Sequence, residues 1–381
     1  MKKVLFASTA LVALTGVAAA DVTISGNAEM GIRDAGGFTY GAGTAVAANT
    51  DVGFFTDIDV TFTMAGETDG GLTFGATIDL DESDDGDAFG DATQGGETIF
   101  ISGAFGTLTA GDTDGALDWA LQEVNFAAGS IDDAETGHTG FNGNAGLDGL
   151  YDGQIVRYDY SFGDFGIAVS AELDDTQYPS AASADIVDTD DVFGLGMTYQ
   201  LDFGGAELGL GAGFQTASVN LGAGDIDLDT YGLSINSSFA GGWQAGLSYM
   251  SYENHFPFGG TAATATSAAT TGLDDALGVT DTVGATTVVG GRILTNGFDT
   301  DHIGVGVGYT TGAISVGVNY GKYDHDAGPE AEGYGIAANY DLGGGAIIQL
   351  GYGHSEVSGG AFAPGINVDN DTVSFGVRMN F

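Results

Sequence analysis

The chain is 381 residues long, carries 53 acidic against 7 basic side chains for a formal net charge of −46, and contains no cysteine. A field of that sign repels nucleic acid and draws cations, and without cysteine there are no disulfides, thiolate metal sites or cysteine nucleophiles. Hydrophobic residues make up 43% of the chain, yet no run of about eighteen apolar residues follows the N-terminal segment, which excludes a bundle of membrane-spanning helices.

In chain order, Lys2 and Lys3 precede a mostly apolar run over 4–17 and the small residues Ala18, Ala19 and Ala20. This pattern predicts a secretory signal peptide over 1–20, cut between Ala20 and Asp21; the run is too short to serve as a membrane anchor. Residues 21–381 hold most of the 68 glycines and all 4 prolines, spread over repeated alternating stretches, and read as one β-domain without a linker.

Alternation predicts sixteen strands: 21–33, 51–64, 71–82, 96–104, 107–112, 153–162, 166–174, 191–202, 206–218, 227–239, 243–253, 299–310, 313–323, 332–342, 346–357 and 370–381. The links alternate in length without exception, long after each odd segment and short after each even one. The short links include 65–70, 105–106, 163–165, 203–205, 240–242, 311–312 and 343–345, all bearing glycine as hairpin turns do. Pro179, Pro257, Pro329 and Pro364 each fall in a long link, where the missing N–H breaks no ladder. An even strand number with this alternation predicts a 16-stranded antiparallel up-and-down transmembrane β-barrel with both termini on the short-turn side; a Greek-key sandwich has no reason to produce it.

Phase assigns the faces. In the first strand Val22, Ile24, Ala28, Met30 and Ile32 share one side and Thr23, Ser25, Asn27, Glu29 and Arg33 the other. In the second, Phe54, Ile58, Val60, Phe62 and Met64 face lipid, and Asp57, Asp59, Thr61 and Thr63 face a wet interior. Tyr199, Phe203, Phe239, Trp243, Tyr249, Tyr252, Tyr309, Tyr320, Tyr323, Tyr340 and Tyr352 lie near strand ends and read either as interfacial girdles or as ordinary β-packing. Residues 97–112 (ETIFISGAFGTLTAGD) are apolar on both faces for several positions, which predicts a neighbouring subunit over the outer one. The last strand ends on Phe381 with no tail, suggesting a barrel sealed by its two ends and a terminal aromatic that serves assembly.

With 101–106 (ISGAFG), 231–234 (YGLS), 340–345 (YDLGGG) and the opening 22–31 set in order around this strand pattern, the chain resembles the trimeric general-diffusion porins of the outer membrane, and among them the Rhodobacter-type porins. The resemblance implies a homotrimer in outer-membrane lipid. Each barrel would pass small hydrophilic solutes and ions through a pore narrowed by the third loop, here 113–152. That loop carries Asp114, Asp118, Glu123, Asp132, Asp133 and Glu135. The family opposes such a loop to basic residues on the wall. This chain departs from that pattern: only Arg33, Arg157 and Arg378 take inward strand positions, Lys322 and Arg292 fall in or near outer loops, and Asp57, Asp59 and Asp79 stand on early strands.

Alternatives stay open at several of these positions. Arg157 reads as a wall-side basic residue or as an ion pair pinning the third loop, and the two roles can coexist. The carboxylate excess reads as cation preference, as solvated outer loops, or as the mark of a high-salt habitat. The stretches 81–87 (DESDDGD) and 188–191 (DTDD) could hold Ca2+ but lack EF-hand spacing, so no cofactor is expected. His138, His255, His302, His325 and His354 are scattered without metal spacing, and no catalytic motif occurs, so no enzyme is expected. A substrate-specific channel and a non-transporting adhesin or structural barrel are the rival readings.

Overall fold

The computed structural model describes residues 21–34, 37–41, 44–48, 52–81, 93–131, 136–150, 153–173, 188–189, 191–220, 225–255, 298–326, 330–358 and 367–381. Sixteen of the described strands form one closed antiparallel barrel. They are β1 (Asp21–Arg33), β2 (Gly53–Glu67), β3 (Thr73–Asp81), β4 (Thr93–Gly103), β5 (Gly106–Asp112), β6 (Gln154–Phe162), β7 (Phe165–Glu172) and β8 (Val192–Asp202). The second half is β9 (Ala206–Asn220), β10 (Asp225–Phe239), β11 (Trp243–His255), β12 (Phe298–Thr311), β13 (Ile314–His325), β14 (Glu330–Gly343), β15 (Ala346–Ser358) and β16 (Asn367–Asn380). β1 pairs with β2 on one side and β16 on the other, from Asn27 opposite Asn380 to Arg33 opposite Ser374, and this pairing leaves the barrel no open edge.

Each predicted segment overlaps one strand, and period-two alternation is the reason. β2 sends Phe54 outward, 93% exposed, and buries Phe55 inside. β16 exposes Val373 and Phe375 and turns Asn370 and Ser374 inward. Exterior apolar side chains left uncovered in this way are what a lipid-facing surface requires. The short turns rely on glycine where the backbone enters the left-handed region, as at Gly204 (φ 73°) and Gly312 (φ 59°).

Two of the outer links depart from the strict length alternation. Residues 221–224 and 326–329 connect β9 to β10 and β13 to β14, no longer than the turn 68–72 between β2 and β3. The strands themselves grow past the sequence estimate, with β9 pairing as far as Asn220 opposite Asp225. The first outer link contains an antiparallel hairpin of its own, Gly37–Gly41 against Thr44–Ala48. Residues 1–20, including Ala20, and the four prolines lie outside the described residues.

Aromatic pairs mark both ends of the exterior. Trp243 and Tyr309 sit 4.6 Å apart near the short turns, as do Phe162 and Phe165 at 4.9 Å, while Tyr334 and Tyr352 are 6.1 Å apart toward the far end. Tyr252 and Tyr323 do not belong to these girdles. They are 4% and 1% exposed and lie inside, because each falls on the opposite phase to its outward neighbours Tyr249 and Tyr320.

Candidate pore constriction

The third loop enters the barrel after β5 and lies flat on the inner wall. Its first leg begins with a short helix, α1 (Ala116–Ala120), whose Ala116 N–H donates to Ser170 Oγ on β7 at 2.8 Å. It continues past β10, where Gln122 N–H donates to Ser234 Oγ at 3.0 Å, and past β15, where Gln349 Nε2 donates to the Gly129 carbonyl at 3.3 Å. Ile131 arrives beside Gly31 and Gly376, on β1 and β16. The second leg returns along the same strands nearer their outer ends.

The return leg is fastened by side chains of the wall. Thr372 Oγ1 donates to the Gly137 carbonyl at 2.7 Å, Thr139 N–H donates to Ser355 Oγ at 3.0 Å, and Tyr323 OH donates to the Phe141 carbonyl at 3.1 Å. Asn142 Nδ2 donates to Tyr252 OH at 2.9 Å. Glu172, 2% exposed at the end of β7, accepts the backbone N–H groups of Gly149 at 3.1 Å and Gly153 at 2.9 Å. Between loop and wall, Leu117, Leu121, Met250, Tyr252, Tyr323, Ala331 and Val357 form a buried apolar cluster, so this lumen contains a packed core as well as a passage.

His138 is buried in that seam with Nε2 2.7 Å from Asn319 Oδ1; burial lowers its pKa to about 4, with the Asn319 contact working against the shift. His302 Nε2 donates to the Gly140 carbonyl at 3.0 Å. The scattered histidines of the sequence thus include two that hold the loop, and among the described residues no group of three or more His, Cys, Asp and Glu is arranged to hold a metal ion.

Acidic residues gather where the loop begins and ends. Asp148 accepts Gly115 N–H at 2.7 Å and Gln215 Nε2 at 2.5 Å, joining the two ends of the loop to β9. Burial pushes its carboxyl up to about 7 despite those two donors. Asp118 is held well above the usual carboxylate range by burial first, then by repulsion from Asp114, Asp148 and Glu123. Glu123 is raised to about 7 by burial and by Asp114, although its side chain opens on the lumen, where water screens part of that effect. Asp132, Asp133 and Glu135 lie outside the described residues.

The three inward arginines are each engaged. Arg157 on β6 donates from Nη1 to the Asp114 carbonyl and stands 3.7 Å from Asp159, so it pins the start of the loop. Arg378 pairs with Glu29 at 3.2 Å, and Glu29 is 3% exposed. Arg33 stacks over the Phe55 ring at 4.8 Å. Lys322 points outward from β13 and pairs with Glu330 at 2.9 Å, and Arg292 lies outside the described residues.

Asp57, Asp59 and Asp79 take the inward positions expected of them on β2 and β3. Asp59 lies opposite Asn27, which donates to it at 2.7 Å, and Asp79 accepts from Thr61 at 3.1 Å. Asp57 stands opposite Glu29, extending the acidic row across β1 and β2. The strands carrying these three aspartates lie on the side of the lumen away from most of the loop's fastenings. Sequence reasoning missed Asp148 and Glu172, and it left the buried Tyr252 and Tyr323 between girdle and ordinary β-packing. Only the tyrosines had a usable signal, their phase.

A closed sixteen-stranded barrel with an apolar exterior, carboxylates inside and a long loop folded into the lumen defines an outer-membrane diffusion channel. The chain belongs to the Gram-negative porin family, whose profile it matches over residues 7–360. It is 28% identical over 338 residues to a porin of Rhodobacter capsulatus, covering 86% of this chain and 92% of that one. Among solved structures it is similar to a porin refined at 1.8 Å resolution, with a TM-score of 0.59 and 23% identity over 95% of this chain and all of the other. A variant of the Rh. blastica porin gives a TM-score of 0.55 at 19% identity over the same shares. Membership places the chain in the Gram-negative outer membrane as a channel rather than an enzyme.

Proposed function

We propose that this porin is a general-diffusion channel that prefers cations and passes small hydrophilic solutes around its third loop. The observation that carries the charge preference is the lumen's excess of carboxylates over guanidinium groups: beside the inward Arg33, Arg157 and Arg378 stand Glu29, Asp57, Asp59 and Asp79 on the wall and Asp114, Asp118 and Glu123 on the loop. Carboxylates along a narrow aqueous passage raise the local cation concentration and repel anions. The reversal potential of the refolded protein under a salt gradient tests this, and a cation-signed value is expected. Replacing all three aspartates by asparagine should move it toward zero with the barrel still heat-modifiable, and an unmoved potential refutes their role.

A homotrimer fits the exterior of β4 and β5. Ile99, 62% exposed, lies with Ile101 and Leu108 on an outward face that Glu97 interrupts opposite Ile78. A carboxylate at such a position is costly against lipid and favours cover by a second copy of the chain. Residues 1–20 act as a cleaved leader in this reading, and mass spectrometry of the exported protein should find Asp21 at its start. Phe381, 80% exposed, is the assembly residue, and its removal should lower the yield of heat-resistant oligomer.

A further inference from the structure

Glycine in the interior of a strand weakens it, by about 0.5–1 kcal/mol relative to alanine in the absence of a compensating need. The inner wall nevertheless repeats it in phase. On β9, Gly209, Gly211 and Gly213 point inward while Leu208 and Leu210 occupy the other phase. On β12, Gly304, Gly306 and Gly308 alternate with outward Val305 and Val307. What these positions meet is the backbone of the third loop. A Cβ on Gly196 would overlap the Ala116 carbonyl, one on Gly211 the Ala120 carbonyl, one on Gly306 the Val124 carbonyl, and one on Gly321 the Gly140 carbonyl. The loop therefore lies against bare strand backbone, at a separation no side chain permits.

We infer that these inward glycines are positioning residues which set the free cross-section of the pore, by fixing how closely the third loop lies against the wall. This rests on the channel reading above and adds to it the feature that determines the size limit. A packed interior does not absorb an added methyl without displacement. At Gly306 and Gly321 the wall side is a hydrogen-bonded strand, so the loop is the element that yields. It moves into the passage, because the wall blocks the other direction. The effect is graded by the contact: on Gly213 a Cβ would stand 2.8 Å from Leu117 Cα, a milder approach than those onto the carbonyls.

The test is single-channel conductance and the neutral-polymer cut-off of Gly213→Ala, Gly306→Ala and Gly321→Ala, with Gly205→Ala as control. Gly205 has nothing within 4 Å of its added Cβ. Heat-modifiability on gels verifies that each barrel has formed. The expected result is a smaller cut-off and lower conductance in the order Gly213→Ala, then Gly306→Ala and Gly321→Ala, with the control unchanged. Conductance and cut-off equal to those of the parent in a folded Gly306→Ala or Gly321→Ala channel overturn the inference. Should both fail to assemble, Gly213→Ala decides, and an unchanged cut-off there is likewise a refutation. The parent's own conductance reports on the channel reading separately, so the two can fail independently.

Discussion

Two walls of the same barrel solve opposite problems. From β7 round to β16 the inner surface is given to the third loop, and its residues are mostly glycines, buried hydrogen-bonding groups, the carboxylate of Glu172 among them, and a small apolar cluster. On β2 and β3 most of the inner surface is polar, with Asp57, Asp59, Thr61, Thr63 and Asp79 on it. Where protein backbone fills the lumen a side chain must be absent or satisfied, and where water fills it a charge costs little. The phase of the strands is the same in both; only the occupant of the inward position differs.

The largest effect that sharpens this contrast should come from Glu172. Its carboxylate accepts two loop amides while almost wholly buried. Hydrogen bonds to a charged group contribute about 1.5–3 kcal/mol each, and the two share one acceptor. Glu172→Ala should therefore lower the opening free energy of the loop's return leg by roughly 3 kcal/mol. Amide exchange at Gly149 and Gly153 should accelerate accordingly, and unchanged protection there would show that the return leg is held by other contacts.

Arg378→Gln breaks a pair on the boundary between the two walls. Glu29 is buried and Arg378 about a quarter exposed, so solvent recovers part of the loss and a destabilisation of roughly 2 kcal/mol is expected in urea unfolding. Below this in size is a comparison of two tyrosines three positions apart on β13. Tyr323 donates inward to the Phe141 carbonyl, and Tyr320 donates outward to Glu332 at 2.6 Å. Tyr323→Phe should cost about 1 kcal/mol because a buried acceptor loses its donor. Tyr320→Phe should cost little where water or lipid headgroups replace the bond, and equal costs would erase the distinction between the faces.

The strand phase, the turns, the outward Phe54 and Val373 and the inward aspartates were legible in the sequence, because each follows from neighbours two residues apart. So was the third loop's place between β5 and β6. Its path was not, since contacts such as Thr139 to Ser355 join residues 216 positions apart and leave no periodic trace. Glu172 and Asp148 look in sequence like any of the 53 acids and become distinct only when the loop amides arrive. Tyr252 and Tyr323 were left between girdle and ordinary β-packing, although their phase already pointed inward. The G-x-G-x-G pattern with outward valines was likewise visible in 304–308, but composition alone gave no reason to tie it to a loop that is distant in the chain.

The smallest expected effect concerns Glu123, which faces the passage from the loop side and so belongs to both halves of the comparison. Its carboxyl, raised to about 7, is largely neutral at pH 5 and largely ionised at pH 8. A raised carboxyl adds its negative charge only as pH climbs through that value, so cation selectivity should increase from pH 5 to pH 8. Because lumen water and salt screen Glu123, the change should be a modest shift of the reversal potential that diminishes at high ionic strength. Glu123→Gln should flatten the part of the pH profile centred near neutrality while leaving the selectivity at pH 5 in place. If the substitution leaves the full profile intact, the titrating charge lies elsewhere on the loop, and Asp118, repelled by three neighbouring carboxylates, is the next group to replace.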